Sequence, residues 1–195
     1  MDIKSIGMLL FEDVELLDFA GPLEVFGAAN YVHDGELYSI ETVAPKKEIK
    51  VSKSLLNVTA DQILNGQSYD LFLIPGGFGT RPMVKDDELL TLIKRTIDKS
   101  KIIASICTGS LILAKLGLLS GKEVCSHHLS YDILQKLDPT VKINKSARYM
   151  DHDRIITAAG VSAGIDMSFH LLKRFYGDGF ANKVRSYIEY YPEKD

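Results

Sequence analysis

Short apolar runs alternate along the chain with stretches in which apolar residues recur every three to four positions, the patterns of buried strands and amphipathic helices. Ile3–Phe11 is a nearly continuous run of β-compatible residues and reads as a buried strand. After Glu12-Asp13-Val14-Glu15, the apolar residues Leu23, Val25, Phe26 and Ala29 predict a helix reaching about Tyr31, with Pro22 in its first turn, where a missing N–H costs nothing. Asp18 then falls on the turn after the first strand. Leu37–Ala44 alternates and predicts a second strand. Ile49–Val58, with Lys50, Lys53 and Asn57, is a weaker pattern that suits a hairpin, and Thr59-Ala60-Asp61-Gln62 reads as a capped helix start. Tyr69–Ile74 is another buried strand, ending in Pro75-Gly76-Gly77-Phe78-Gly79-Thr80. Asp86–Ser100 is an amphipathic helix with Leu89, Leu90, Ile93 and Ile97 on one face.

Ile102–Leu116 carries the sharpest change of pattern. The apolar run Ile102–Ser105 turns at Ile106-Cys107-Thr108-Gly109 into a helix-spaced stretch that Gly117 closes, and Gly121 sits in a further turn. Glu123–Ser126 predicts a short strand that delivers His127 and His128. Leu129–Leu137 predicts a helix that Pro139 stops, and Val141–Ile143 and Ala147–Met150 predict strands around a turn. Ile155–Ala159 is apolar and leads into Gly160-Val161-Ser162-Ala163-Gly164, which opens a helix running to near Tyr176. A last amphipathic helix spans about Asp178 to Tyr190. Strands alternating with helices predict an α/β fold, helices flanking a mostly parallel sheet, in one domain over residues 1–195.

Composition narrows the function classes. With 46% hydrophobic and 25% charged residues over 195 positions, the chain can bury a sizeable core. A net charge of −3 gives no electrostatic reason to expect nucleic acid as a partner. Acidic residues interrupt the first apolar run too early for a signal peptide, and no apolar stretch approaches membrane-spanning length, so no membrane partner is expected. Two cysteines make no disulfide scaffold and suit a reducing, cytoplasmic location.

The candidate chemistry gathers at strand ends. A small-residue turn between a strand and a helix places Cys107 at a helix N-terminus, which predicts a lowered thiol pKa and a nucleophilic thiolate. The plain alternative is a buried structural cysteine. Asp18 is a candidate carboxyl partner, or simply a helix cap. Gly76 and Gly77 suit backbone N–H donors to a developing anion, or an ordinary tight turn. His127 is the better candidate partner for Cys107, because strand alternation sends His128 to the opposite face. His127, His128, Asp132 and His152 match no metal-ligand spacing, so no metal is expected. His33 and His170 read as surface or satisfied helix residues, and Arg148, Asp151 and Asp166 as members of ion pairs.

Leu17-Asp18-Phe19-Ala20-Gly21-Pro22-Leu23-Glu24-Val25-Phe26, Pro75-Gly76-Gly77, Ile106-Cys107-Thr108-Gly109 and Gly160-Val161-Ser162-Ala163-Gly164-Ile165-Asp166, in that order, resemble the ThiJ/PfpI superfamily over nearly the whole chain. The resemblance implies the fold of class I glutamine amidotransferases, a flavodoxin-like three-layer sandwich. An aspartate in the first loop and Cys-Thr at the elbow resemble its isonitrile hydratase subgroup. By that resemblance Cys107 is the nucleophile, Asp18 the acid/base partner and Thr108 a supporting residue, with backbone N–H groups around Gly77 and Thr108 stabilising charge. It also implies a homodimer that takes a small-molecule substrate and needs no cofactor. Ser126-His127-His128 departs from the Thr-His-aromatic found in many relatives. Two other readings stand beside the hydratase. One is a different cysteine enzyme of the superfamily, a glyoxalase-like hydratase or an amidase/peptidase. The other is a non-catalytic redox or ligand sensor akin to the regulatory domain of helix-turn-helix regulators, against which the chain's end at Asp195 counts.

Overall fold

The apolar runs become the inner strands of one sheet in the computed structural model, which describes residues 3–33, 35–53 and 55–192. In chain order, β1 (Ser5–Leu9) leads into α1 (Leu16–Val32). Then come β2 (Ser39–Ala44), the antiparallel hairpin β3 (Glu48–Val51) and β4 (Leu56–Thr59), the short β5 (Gln62–Ile63) and β6 (Leu71–Ile74). α2 (Thr80–Met83), α3 (Asp87–Lys99), β7 (Ile102–Ile106) and α4 (Ser110–Lys115) follow. The chain continues through β8 (Glu123–Val124), α5 (Tyr131–Leu137), β9 (Lys142–Ile143), β10 (Tyr149–His152), β11 (Ile155–Ala158), α6 (Ala163–Tyr176) and α7 (Asp178–Tyr187).

The sheet has the order β10-β11-β7-β6-β1-β2-β5, parallel throughout except for β10 on one edge. Every residue of β6, β7 and β11 is buried, as a parallel sheet covered on both faces requires. Right-handed crossovers explain the layers. The path β1–α1–β2 runs one way across the sheet and β6–α3–β7–β11 runs the other, so their helices lie on opposite faces. α1 packs with α6 and α7 on one side, and α4 packs with α2 and α5. The direction reverses between β1 and β6. In such sheets the crevice outside the carboxyl ends of the strands at that switch point is where ligands bind.

Four local expectations are corrected. α1 begins at Leu16, so Asp18 is the third helical residue rather than a turn residue, and Pro22 lies inside the helix. Pro22 removes only the bond to the Asp18 carbonyl, which a 17-residue helix packed against α6 and α7 tolerates. Thr59–Gln62 starts no helix. The Asp61 carboxylate instead accepts from the Thr42 N–H and hydroxyl, both at 2.8 Å, and clips β5 to β2. The segment before His127 is strand only at Glu123–Val124, which pairs with β9 outside the main sheet. β9 and β10, expected as neighbours around a turn, belong to different sheets. Elsewhere the elements match their patterns, and Asp86 caps α3 by accepting from the Leu89 N–H at 2.9 Å. Among the described residues no helix is long and apolar enough to cross a membrane.

Candidate functional site around Cys107

β7 ends in the extended Ile106, and Cys107 then takes a φ of +57°, the left-handed region that L-residues adopt at a cost. Its surroundings hold it there. The Cys107 N–H donates to the Ala159 carbonyl at the end of β11 (3.0 Å), and its own carbonyl faces the Ser110 and Ser126 hydroxyls at 3.1 and 3.0 Å. The strand–turn–helix elbow expected of this stretch is therefore present, with a single 3₁₀ turn, Cys107–Gly109, before α4.

Asp18 enters from the first turn of α1 and is fully buried. Its Oδ2 accepts the Gly76 N–H at 2.9 Å, whereas Oδ1 is buried without an N–H or O–H partner among the described residues. Burial pushes this carboxyl up to about 7, helped by the Glu15 charge, while the Gly76 N–H and the Cys107 thiol pull the other way. Cys107 is pushed up to about 12, first by burial and then by the Asp18 charge, against the backbone N–H groups of Val161 and Thr108 that point at its sulfur. The lowered thiol pKa expected from the helix N-terminus is thus overturned. The helix is short, the sulfur is dry, and a carboxylate sits beside it.

Gly76, Gly77 and Thr108 form one lock. The Thr108 hydroxyl donates to the Gly77 carbonyl (3.0 Å) and accepts the Gly77 N–H (2.9 Å), with the Thr80 hydroxyl at 3.1 Å. A Cβ on Gly76 would lie 2.5 Å from the Thr108 nitrogen and 2.8 Å from Asp18 Oδ2, so only glycine lets these segments meet. Both glycine N–H groups are consumed inside this lock. The expectation that they face an anion in the cavity is corrected: in this geometry they hold Asp18 and Thr108 in place.

Above the sulfur lies a cavity of about 170 Å³, lined by Cys107, Thr108, His127, Val161, Glu15 and Arg81 among others. Phe78 and Leu129 also line it and are largely exposed to solvent. His127 shares this cavity with Cys107, whereas His128 is exposed and stacks on it with ring centroids 4.4 Å apart. Glu15, Arg81, Phe78, Leu129 and Val161 escaped the sequence reading as site residues. Glu15 sits one turn before Asp18 and Arg81 four residues after Gly77, so proximity to the motifs was the available signal. Val161 has a φ of +41°, a strained value for a β-branched residue, within the Gly160–Gly164 turn.

The other candidates lie apart. His152 contacts the Glu123 carbonyl at 2.6 Å, and His170 pairs with Asp151 at 2.7 Å, which also binds Arg174. Arg148 pairs with Asp166 at 2.6 Å, and His33 is exposed at the end of α1. Among the described residues no three His, Cys, Asp or Glu side chains are grouped to hold a metal ion.

The chain and its fold have counterparts among known proteins. A family model described as DJ-1/PfpI family matches residues 4–174. Isonitrile hydratase of Pseudomonas putida is 29% identical over 189 residues, covering 96% of this chain and 79% of that protein. The HTH-type transcriptional regulator GbdR of Pseudomonas aeruginosa is 28% identical over 89% of this chain, which spans only 47% of the regulator's length. Among solved structures, a THiJ/PfpI family protein from Pseudomonas syringae superposes with a TM-score of 0.85 at 27% identity, covering 100% of this chain and 78% of that one.

Proposed function

The chain belongs to the DJ-1/PfpI family, and from that premise we propose that it adds water to a small isonitrile to give an N-substituted formamide. The observation that carries this reading is the buried Asp18–Cys107 pair at the floor of a small, solvent-open cavity, in a chain similar to an isonitrile hydratase. The terminal carbon of an isonitrile is electrophilic towards a thiolate and becomes basic once the thiolate has added. That sequence needs a group that first takes a proton and then returns it.

Asp18 as the carboxylate takes the Cys107 proton while the sulfur bonds to the isonitrile carbon. The protonated Asp18 then delivers that proton to the same carbon, giving a thioimidate, S–CH=N–R. The carboxylate next takes a proton from water as the water oxygen adds to the carbon, and Asp18 passes that proton on to the nitrogen. Collapse of the S–CH(OH)–NHR adduct breaks the C–S bond, releases the formamide and restores the thiol. The Thr108 and Val161 N–H groups stabilise charge on sulfur. The Thr108 hydroxyl keeps Gly77, and through it the Gly76 N–H on Asp18, in register.

The test is hydration of aromatic and aliphatic isonitriles by purified protein, with formamide followed by NMR. Cys107→Ala and Asp18→Asn should each abolish it, and absence of turnover by the wild type across the panel refutes the assignment. Similarity to a transcriptional regulator over 89% of the chain favours a second reading, a ligand sensor. Saturable isonitrile or formamide binding without turnover would support that reading instead.

A further inference from the structure

His127 lines the cavity with Cys107, and its ring is held by several contacts. Nδ1 accepts the Leu129 N–H at 3.2 Å. A ring nitrogen that accepts a hydrogen bond carries no proton, so the proton of the neutral ring sits on Nε2. Protonating Nδ1 would set donor against donor. The ring stacks on His128 and lies so close to Gly160 that a Cβ there would be 2.5 Å from Cδ2.

The backbone of His127 is fixed to the nucleophile as well. Its carbonyl accepts from the Ser130 hydroxyl at 2.6 Å and the Ser130 N–H at 2.9 Å. The Ser130 hydroxyl meets that of Ser126 at 2.7 Å, and the Ser126 hydroxyl reaches the Cys107 carbonyl at 3.0 Å. A buried hydroxyl chain therefore joins the two carbonyls. Burial first lowers the pKa of the His127 ring, the nearby His128 and Arg81 add to this, and Glu15 opposes them.

We propose that His127 is a fixed, neutral Nε2–H donor to a nitrogen or oxygen acceptor of the ligand held at Cys107, and is not the base that takes the thiol proton. For the identity of that ligand the proposal rests on the hydratase reading. The acceptor is then the nitrogen of the thioimidate or the oxygen of the formamide.

Long-range ¹H–¹⁵N spectra at pH 7 read the tautomer directly, without any variant. The Nε2-protonated neutral ring is expected, and a proton on Nδ1 or a charged ring overturns the proposal. Substitution gives a second readout. Glutamine offers an amide N–H of similar reach, and phenylalanine keeps the ring without a donor. H127Q should retain about a third of the wild-type kcat/KM and H127F about a tenth, the worth of one neutral hydrogen bond. Equal losses in the two variants refute the donor role. Alkylation of Cys107 by iodoacetamide, whose carbonyl is itself an acceptor, should follow the same order. That order is measurable even if the wild type hydrates no isonitrile, so failure of the hydratase reading and failure of this one are told apart.

Discussion

Replacing Asp18 by Asn should remove a specific, pH-dependent destabilisation of the fold. Burial raises this carboxyl from its ordinary 3.8 to about 7 in the folded protein. The folded state therefore binds a proton more tightly than the unfolded chain does. The associated stability is fully present below pH 3.8, is lost as the pH rises through the window from 3.8 to about 7, and is gone above it. At 1.36 kcal/mol per pH unit the full span is about 4 kcal/mol, a large fraction of a domain's net stability. Cys107 stays protonated throughout that window, so the carboxyl titrates there as a single group. Asn keeps an oxygen to accept the Gly76 N–H and has no charge to bury. Urea unfolding of both proteins between pH 4 and 8 gives a difference curve from which the titrating groups not coupled to Asp18 cancel. Relative to Asp18→Asn, the wild type should lose about 4 kcal/mol between pH 4 and 8. A flat difference curve, or one that rises with pH, refutes the assignment of a raised pKa to a buried carboxyl.

Three further outcomes follow from the same geometry. The kcat/KM for isonitrile hydration should rise with pH through about 7, because the ionised Asp18 takes the thiol proton; the apparent value belongs to the Asp18–Cys107 pair, and a flat profile between pH 5 and 9 would count against this base. Thr108→Val leaves the buried Gly77 N–H without its acceptor and should cost about 1–3 kcal/mol in urea unfolding, with a fall in turnover. Cys125 is fully buried against the Ala147 carbonyl, whereas Cys107 opens onto the cavity, so mass spectrometry after brief iodoacetamide treatment of the native protein should find a single adduct, on Cys107.

What was legible in the chain was whatever local pattern alone determines. β6, β7 and β11 are buried on both faces, so each appears as a short, mostly apolar run, interrupted only by Ser105 and Thr157. Cys107, Asp18 and Gly76-Gly77 could be brought together because each follows an inner strand, and a parallel sheet gathers such positions at one edge. What local pattern could not show was where individual bonds go. Asp61 looks like a helix cap, and its carboxylate does bind an N–H, but that of Thr42 on a strand 19 positions away in sequence. The N–H groups of Gly76 and Gly77 look available in a glycine turn, yet Asp18 and Thr108, from distant segments, consume them. Glu15, Arg81 and Val161 join the cavity through tertiary approach alone.

The error about the thiol is the most instructive of these, because it reverses the order of events at the site. A cysteine at a helix start would be a thiolate waiting for substrate if the helix dipole prevailed. Here burial and a neighbouring carboxylate prevail, and the dry site carries one negative charge, on Asp18. Moving the proton from sulfur to Asp18 relocates that charge without adding another. Part of the rise to about 12 at Cys107 comes from the Asp18 charge itself, so this opposition vanishes as soon as Asp18 accepts the proton. The transfer thus costs less than the separation of the two pKa values suggests. Asp18→Asn divides the argument cleanly. Without the carboxylate the thiol should titrate lower, and iodoacetamide should alkylate Cys107 faster at pH 8–9 than in the wild type. Hydration, which needs the base, should be lost in the same variant. Opposite changes in the two rates support the shared proton; a decrease in both would mean that Asp18 merely holds the elbow in shape.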